Sequence, residues 1–150
     1  MPEETPWHAS FPTPRTTSPA SLPRETVLQW LKEGKKPGID FLLVDLRRND
    51  FEGGTIAGSL NLPAQSLYYM LPTLLALVKS AGVRDVGFYC GSSQGRGTRA
   101  AGWFADYLQD QGVAAEVKSW KLEGGIKGWV AAGEEYTALM DGYDKAFWKK

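Results

Sequence analysis

The chain holds one cysteine, Cys90, and one histidine, His8. A lone cysteine cannot close an intramolecular disulfide. One cysteine and one distant histidine cannot build a zinc site, so no metal is expected. The cysteine count suits a reducing compartment, the cytosol, with the nucleus as a second. Net charge is missing too, because 17 Lys and Arg balance 17 Asp and Glu. That leaves no basic excess for nucleic acid or an anionic membrane surface. No apolar run approaches the ~20 residues of a membrane span. The opening residues, MPEETPWHASFPTPRTTSPASLPR, carry early acids and prolines around no apolar stretch. Neither a secretory signal nor a transit peptide is expected there. No Gly-rich dinucleotide fingerprint follows a strand pattern, since GGTIAG has the wrong spacing.

What remains is the profile of one globular domain: 150 residues, 43% hydrophobic and 23% charged, enough to bury a sizeable core. Residues 1–21 read as a Pro/Ser-rich arm. Trp7 and Phe11 within it suggest that the arm lies across the domain, with His8 as an exposed or packing residue. Residues 22–150 read as the domain proper.

SLPRETVLQWLKEG has the spacing of a first helix, ended by Gly34 and Pro37. FLLVDLR, Phe41–Arg47, is a continuous apolar run suited to a strand buried on both faces. A short strand is expected around Ser59–Leu62. SLYYMLPTLLALVKSAG is helical in pattern, with a break expected at Pro72. VGFYC is a second buried strand. The residues from Arg96 to Gln111 place Ala100, Ala101, Phe104 and Leu108 on one helix face, closed by Gly112. AAEVKSW is a third strand, GGIKGWVAAG a turn with a short helix, and 134–150 a terminal helix. Strands alternating with helices predict an open α/β sheet, mainly parallel.

Ligands of such sheets bind beyond the carboxyl ends of the strands. Cys90 ends a strand, and a helix opens a few residues later. The backbone N–H groups between them converge into an anion-binding nest at a helix N-terminus. Gly91 and Gly95 permit tight turns and close approach. Ser92 and Ser93 offer hydroxyl donors, and Gln94 completes the loop. Arg96 presents a planar fork for two oxygens of a tetrahedral anion. Donors that hold an oxyanion also stabilise a thiolate, so one loop can bind substrate and activate the nucleophile. The plain alternative is a packing cysteine ahead of an ordinary turn. Arg99, one turn on, reads either as a wider positive rim or as a solvated helix residue.

Two flanking stretches discriminate. VDLRRNDFEGGTIAGSLNLP, Val44–Pro63, resembles the first signature of the rhodanese family, and LEGGIKGWVAAG, Leu122–Gly133, resembles the second. The Cys90 loop lies between them, as in that family. The resemblance covers about residues 22–133. It implies a rhodanese-like α/β fold, a central five-stranded, mainly parallel sheet with helices on both faces, and Cys90 as the catalytic residue. Asp45 and Arg47 then read as structural, Glu52 as a partner of Arg47 or Arg48, and Thr55 as standing where a histidine is common. Trp103, Trp120 and Trp129 read as core.

Loop length narrows the branch. Cys90 through Arg96 is C-x(5)-R, one residue longer than in most sulfurtransferases of the family. It is similar to the rhodanese-fold cell-cycle phosphatases and the eukaryotic, fungal-type arsenate reductases. Two departures stand out. Tyr89 occupies the position before the cysteine where those enzymes carry histidine, and the loop holds no acid to protonate a leaving group. Asp106 and Asp110 should point away down the helix. Arsenate is less demanding, since water can leave. With no second cysteine to resolve the intermediate, the resemblance implies no bound cofactor, with glutathione and glutaredoxin as external reductant and partner. The expected ligand is a small oxyanion, arsenate or a phosphate ester. A thiosulfate or persulfide sulfurtransferase and a non-catalytic binding module are the alternatives.

Overall fold

A computed structural model describes residues 6–149; residues 1–5 of the expected arm and Lys150 lie outside it. Its frame is a five-stranded sheet of β1 (Ala20–Leu22), β2 (Leu42–Asp45), β4 (Leu60–Asn61), β5 (Asp85–Tyr89) and β6 (Lys118–Leu122). The strands lie in the order β1-β6-β5-β2-β4, all parallel. β5 is therefore central. From Val86 to Tyr89 it is buried and carries no charge, because both sheet faces are covered. A separate two-stranded ribbon joins β3 (Thr55–Ile56) to β7 (Met140–Asp141), antiparallel.

Alternation along the strands sorts side chains into two cores. Val86, Phe88 and Cys90 face α2 (Ala64–Ala81) and α3 (Arg96–Asp110) in one core, with Leu67, Leu71 and Phe104. Leu43 and Tyr89 face α1 (Arg24–Lys32) and α4 (Gly125–Ala131) in the other, with Val27, Ile126 and Trp129. Tyr89 and Cys90 are adjacent in sequence but belong to opposite faces.

Several expectations shift. The helix does not break at Pro72: α2 is continuous from Ala64 to Ala81 through it. The proline forgoes one backbone bond, but Leu71, Leu74, Leu75 and Val78 remain buried on one side, and that burial outweighs the lost bond. The third expected strand begins at Lys118 rather than Ala114, because turns closed on the Val113 carbonyl occupy the preceding residues. The tail is not one helix. It divides into α5 (Glu134–Thr137), β7 and α6 (Lys145–Trp148), interrupted by Gly142 in the left-handed region. β1 has no signature in the sequence, since a three-residue edge strand paired on one side only has no period to detect. No helix among the described residues is long and apolar enough to cross a membrane.

The described part of the arm packs against α2 and α3. Trp7 and Phe11 stack edge-on with Trp103, and Phe11 also meets Tyr68. Trp103 Nε1 donates to the Pro12 carbonyl at 2.8 Å. Asp106 accepts from Arg15 N at 2.7 Å, Thr16 N at 3.0 Å and Thr16 Oγ1 at 2.6 Å. Arg15 pairs with Asp110 at 2.8 Å. Asp106 and Asp110 do turn away from the Cys90 loop, and they hold the arm instead.

Candidate active site

Three neighbouring strands end at one place. β2 leads to the loop carrying Asp50, β5 to Cys90, and β6 to the Gly124–Gly125 turn that opens α4. Cys90 is 3% exposed, at the bottom of the cleft these ends enclose. The Gly97 N–H, in the first turn of α3, donates to its Sγ at 3.4 Å. In the loop, the Gln94 amide donates to Ser92 Oγ at 3.4 Å. Among the described residues, no protein acceptor takes the amides of Ser92, Ser93, Gly95 or Arg96. Unpaired donors ahead of a helix N-terminus favour an anion.

Ser93 departs from its expected place. Its φ of 65° is the one left-handed non-glycine backbone among the described residues, a conformation that costs about 1–3 kcal/mol. Thr98 Oγ1 holds the turn by donating to the Ser93 carbonyl at 2.8 Å. The Ser93 side chain is buried against Gly97 instead of lining the cleft, and its Oγ has no protein partner. Gly91, Ser92, Gln94, Gly95, Arg96 and Arg99 do line it.

Arg96 is paired. Its Nη1 donates to Asp50 Oδ1 at 2.8 Å and its Nη2 to Oδ2 at 2.5 Å. The Arg96 hydrogen bonds pull the Asp50 carboxyl down to about 2, with the Arg48 amide helping. Arg96 is raised in turn, first by Asp50 and then by the neighbouring Cys90. Asp50 reaches this point because a buried pair braces its loop. Arg47 binds Asp45 through Nε at 3.0 Å and Nη2 at 2.8 Å. It also donates to the carbonyls of Glu52 at 3.0 Å and Gly54 at 2.7 Å. Arg47 therefore meets the Glu52 backbone, not its carboxylate as expected. With every polar atom answered, such a pair fixes a shape, whatever its net energy.

The second signature supports the loop from behind. Ile126 N donates to the Cys90 carbonyl and Lys127 N to the Gly91 carbonyl, both at 3.0 Å. Gly125 has φ +59°, and a Cβ there would stand 2.5 Å from the Cys90 carbonyl oxygen and 2.6 Å from that of Gly91. Only glycine allows this approach.

Tyr89 is not a neighbour of the thiol. Its hydroxyl lies 2.7 Å from Thr55 Oγ1 and 2.7 Å from Ser59 Oγ, and accepts from Ile56 N at 3.2 Å. Burial, with the Asp45 charge adding, raises its pKa far enough to keep it a neutral phenol. Thr55 also donates to Asp45 Oδ2 at 2.7 Å, so Tyr89 and Thr55 together tie the first signature to β5.

The cleft measures about 720 Å³. Arg96, Arg99 and Lys127 set three cations in its lining against Asp50. Trp7, His8, Thr13 and Thr16 of the arm form one side, which brings His8 into the cleft. Asp50, Lys127 and these arm residues were not legible as site residues, because each arrives from a remote segment. Asp50 is 46 residues from Arg96. The one available signal was that Asp50 and Lys127 fall inside the two signatures.

The comparisons agree with this architecture. Residues 25–132 match the rhodanese-like domain. Arsenical-resistance protein 2 of Saccharomyces cerevisiae is 31% identical over 96 residues, 60% of this chain and 74% of that protein. A structure described as Ygr203w, a yeast protein tyrosine phosphatase of the rhodanese family, superposes with a TM-score of 0.72 and 25% identity, over 87% of this chain and 98% of that one. The As-Sb reductase of Leishmania major superposes with a TM-score of 0.71 over 82% and 85% of the two chains; at 21% identity it speaks for the fold alone. The sheet order, the two flanking signatures and the match over 25–132 lead to one conclusion: the chain belongs to the rhodanese-like domain family.

Proposed function

We propose that the protein is a cysteine-dependent oxyanion enzyme that reduces arsenate. The observation carrying this reading is the seven-residue loop from Cys90 to Arg96, which joins unpaired backbone amides and the Arg96 guanidinium to a sulfur at the end of the central strand, in one cleft. In this scheme the Cys90 sulfur attacks arsenic, one arsenic hydroxyl leaves as water with the proton given up by the thiol, and an S–As(V) bond forms. Glutathione then replaces a second hydroxide on arsenic. Formation of the Cys90–glutathione disulfide breaks both S–As bonds and passes two electrons to arsenic, and a water adds to the freed As(III) to give arsenite. Glutaredoxin with further glutathione restores the Cys90 thiol and carries away oxidised glutathione.

The choice of arsenate over a phosphate ester rests on proton supply. Phosphate esters need an acid for a poor leaving group. The loop contains none. The carboxyl nearest Arg96, that of Asp50, is held ionised by that arginine down to about pH 2. The name of the yeast arsenical-resistance relative supports the same choice. Phosphatase activity is the second reading, favoured by the description of the similar yeast structure. Sulfur transfer is less suited to a ring one residue longer than most sulfurtransferases use.

Parallel assays on arsenate with glutathione and glutaredoxin, on p-nitrophenyl phosphate and on thiosulfate separate the readings. Arsenate turnover exceeding the other two is expected. Phosphate hydrolysis alone would favour the phosphatase, and thiosulfate activity alone would overturn the argument from loop length. No activity on any, with an inert thiol, would leave a binding module.

A further inference from the structure

The 6–17 segment contributes to the lining of the cleft that holds Cys90, yet it lies outside the matched domain and precedes the first strand. It is anchored at several points. Pro12 is held by Trp103. The backbone of Arg15 and Thr16 is held by the Asp106 carboxylate, itself 8% exposed. Gly102, on α3, meets the Thr16 carbonyl so closely that a Cβ there would stand 2.3 Å from its oxygen. Glycine weakens a helix interior by about 0.5–1 kcal/mol. Its presence on a 15-residue helix, directly beneath the arm, fits a surface shaped to seat it.

From this seat the arm sends Trp7, His8, Thr13 and Thr16 into the same cleft as Cys90. They stand in its lining together with Thr98 and Arg99 of α3. With them the cleft is bounded on the arm side as well as by Asp50 and Lys127. Its volume of about 720 Å³ falls in the range of about 300–1,000 Å³ that holds small organic ligands. A phosphorylated polypeptide must run past the reacting group on both sides, and the arm occupies one of them.

We propose that the arm is the specificity wall of the cleft: it admits a small anionic molecule to Cys90 and bars an extended polypeptide. This rests on the reading of Cys90 as an accessible nucleophile. The test therefore reads thiol access directly and needs no substrate. Cys90 is alkylated with iodoacetate and, separately, with a maleimide carried on a ten-residue peptide. Rates are normalised to those of free cysteine. Wild type should discriminate against the peptide reagent by about tenfold or more. Gly102→Ala, which presses on Thr16 while favouring the helix, and Asp106→Ala, which removes the latch, should each recover about tenfold in the peptide rate as the segment opens locally. The iodoacetate rate should change less than about twofold, and thermal melts verify folding. Equal normalised rates in wild type, or an unchanged peptide rate in the folded variants, would overturn the wall and leave the Cys90 reading standing. Failure of iodoacetate to label the wild type would overturn the Cys90 reading, and the wall with it.

Discussion

Arg96 and Asp50 face each other across the cleft through two parallel hydrogen bonds of 2.8 and 2.5 Å. The residue best placed to clamp an oxyanion thus already holds a carboxylate. An incoming anion competes with Asp50 for the same fork, and it also meets the Asp50 charge. A charge pair at about 4 Å in solvent is worth ~1 kcal/mol, or roughly fivefold in affinity. Asp50→Asn is accordingly predicted to tighten binding of inorganic phosphate or arsenate by about that factor, read as protection of Cys90 from alkylation. Weaker binding would mean instead that Asp50 serves to hold Arg96 in place.

The same pair has a pH signature. The folded Asp50 carboxyl is lowered from 3.8 to about 2. A lowered carboxyl stabilises the fold above its unfolded pKa and loses that contribution as pH falls through the folded one. The stability difference between wild type and Asp50→Asn should be constant from pH 5 to 9, shrink below about pH 4 and be lost as pH falls through about 2. Asp50 is half exposed, so the difference should not exceed about 1 kcal/mol. Urea melts across this range measure it, and a difference that grows in acid would contradict it.

Tyr89 belongs to the architecture, not to the thiol. Tyr89→Phe strips a shared partner from Thr55, Ser59 and the Ile56 amide. A loss of about 1–3 kcal/mol in stability is expected. The alkylation rate of Cys90 should stay within about twofold, since the ring lies on the opposite sheet face. A much larger change in that rate would place Tyr89 in the chemistry.

Gly125 sets the loop from behind. Gly125→Ala forces a Cβ into the Cys90 and Gly91 carbonyls. The loop must move by a substantial fraction of an ångström, and misplacement of about 1 Å can cost about 100-fold in rate. Loss of turnover by at least tenfold is predicted, with a melt that remains cooperative. Unchanged turnover would mean that the loop tolerates displacement.

His8 is half-buried and lines the cleft from the arm. A general acid contributes about 10²–10⁴-fold. If water is the leaving group, His8→Gln should leave arsenate turnover within about threefold. A loss beyond 100-fold would make His8 the missing proton donor.

How much of this was legible follows from what is local. The Cys90 loop, Arg96 and the α3 face are contiguous, and a strand, a turn and a 3.6-residue period announced them. Asp45 and Arg47 read as structural through the resemblance of their stretch to the first rhodanese signature, not through any spacing of their own. The Asp50–Arg96 contact spans 46 residues and depends on how Arg47 curls its loop, which no spacing shows. His8 was read as an exposed or packing residue because its approach to the cleft depends on Asp106 and Gly102 anchoring the arm. Pro72 misled because tertiary burial outweighed a local rule.

The most direct measurement is arsenate turnover by purified protein with glutathione and glutaredoxin, wild type beside Cys90→Ser. The wild type should release arsenite, and the variant should fall to the rate of the reagents alone. Equal rates in the two proteins would contradict a covalent role for Cys90, and with it the proposed mechanism.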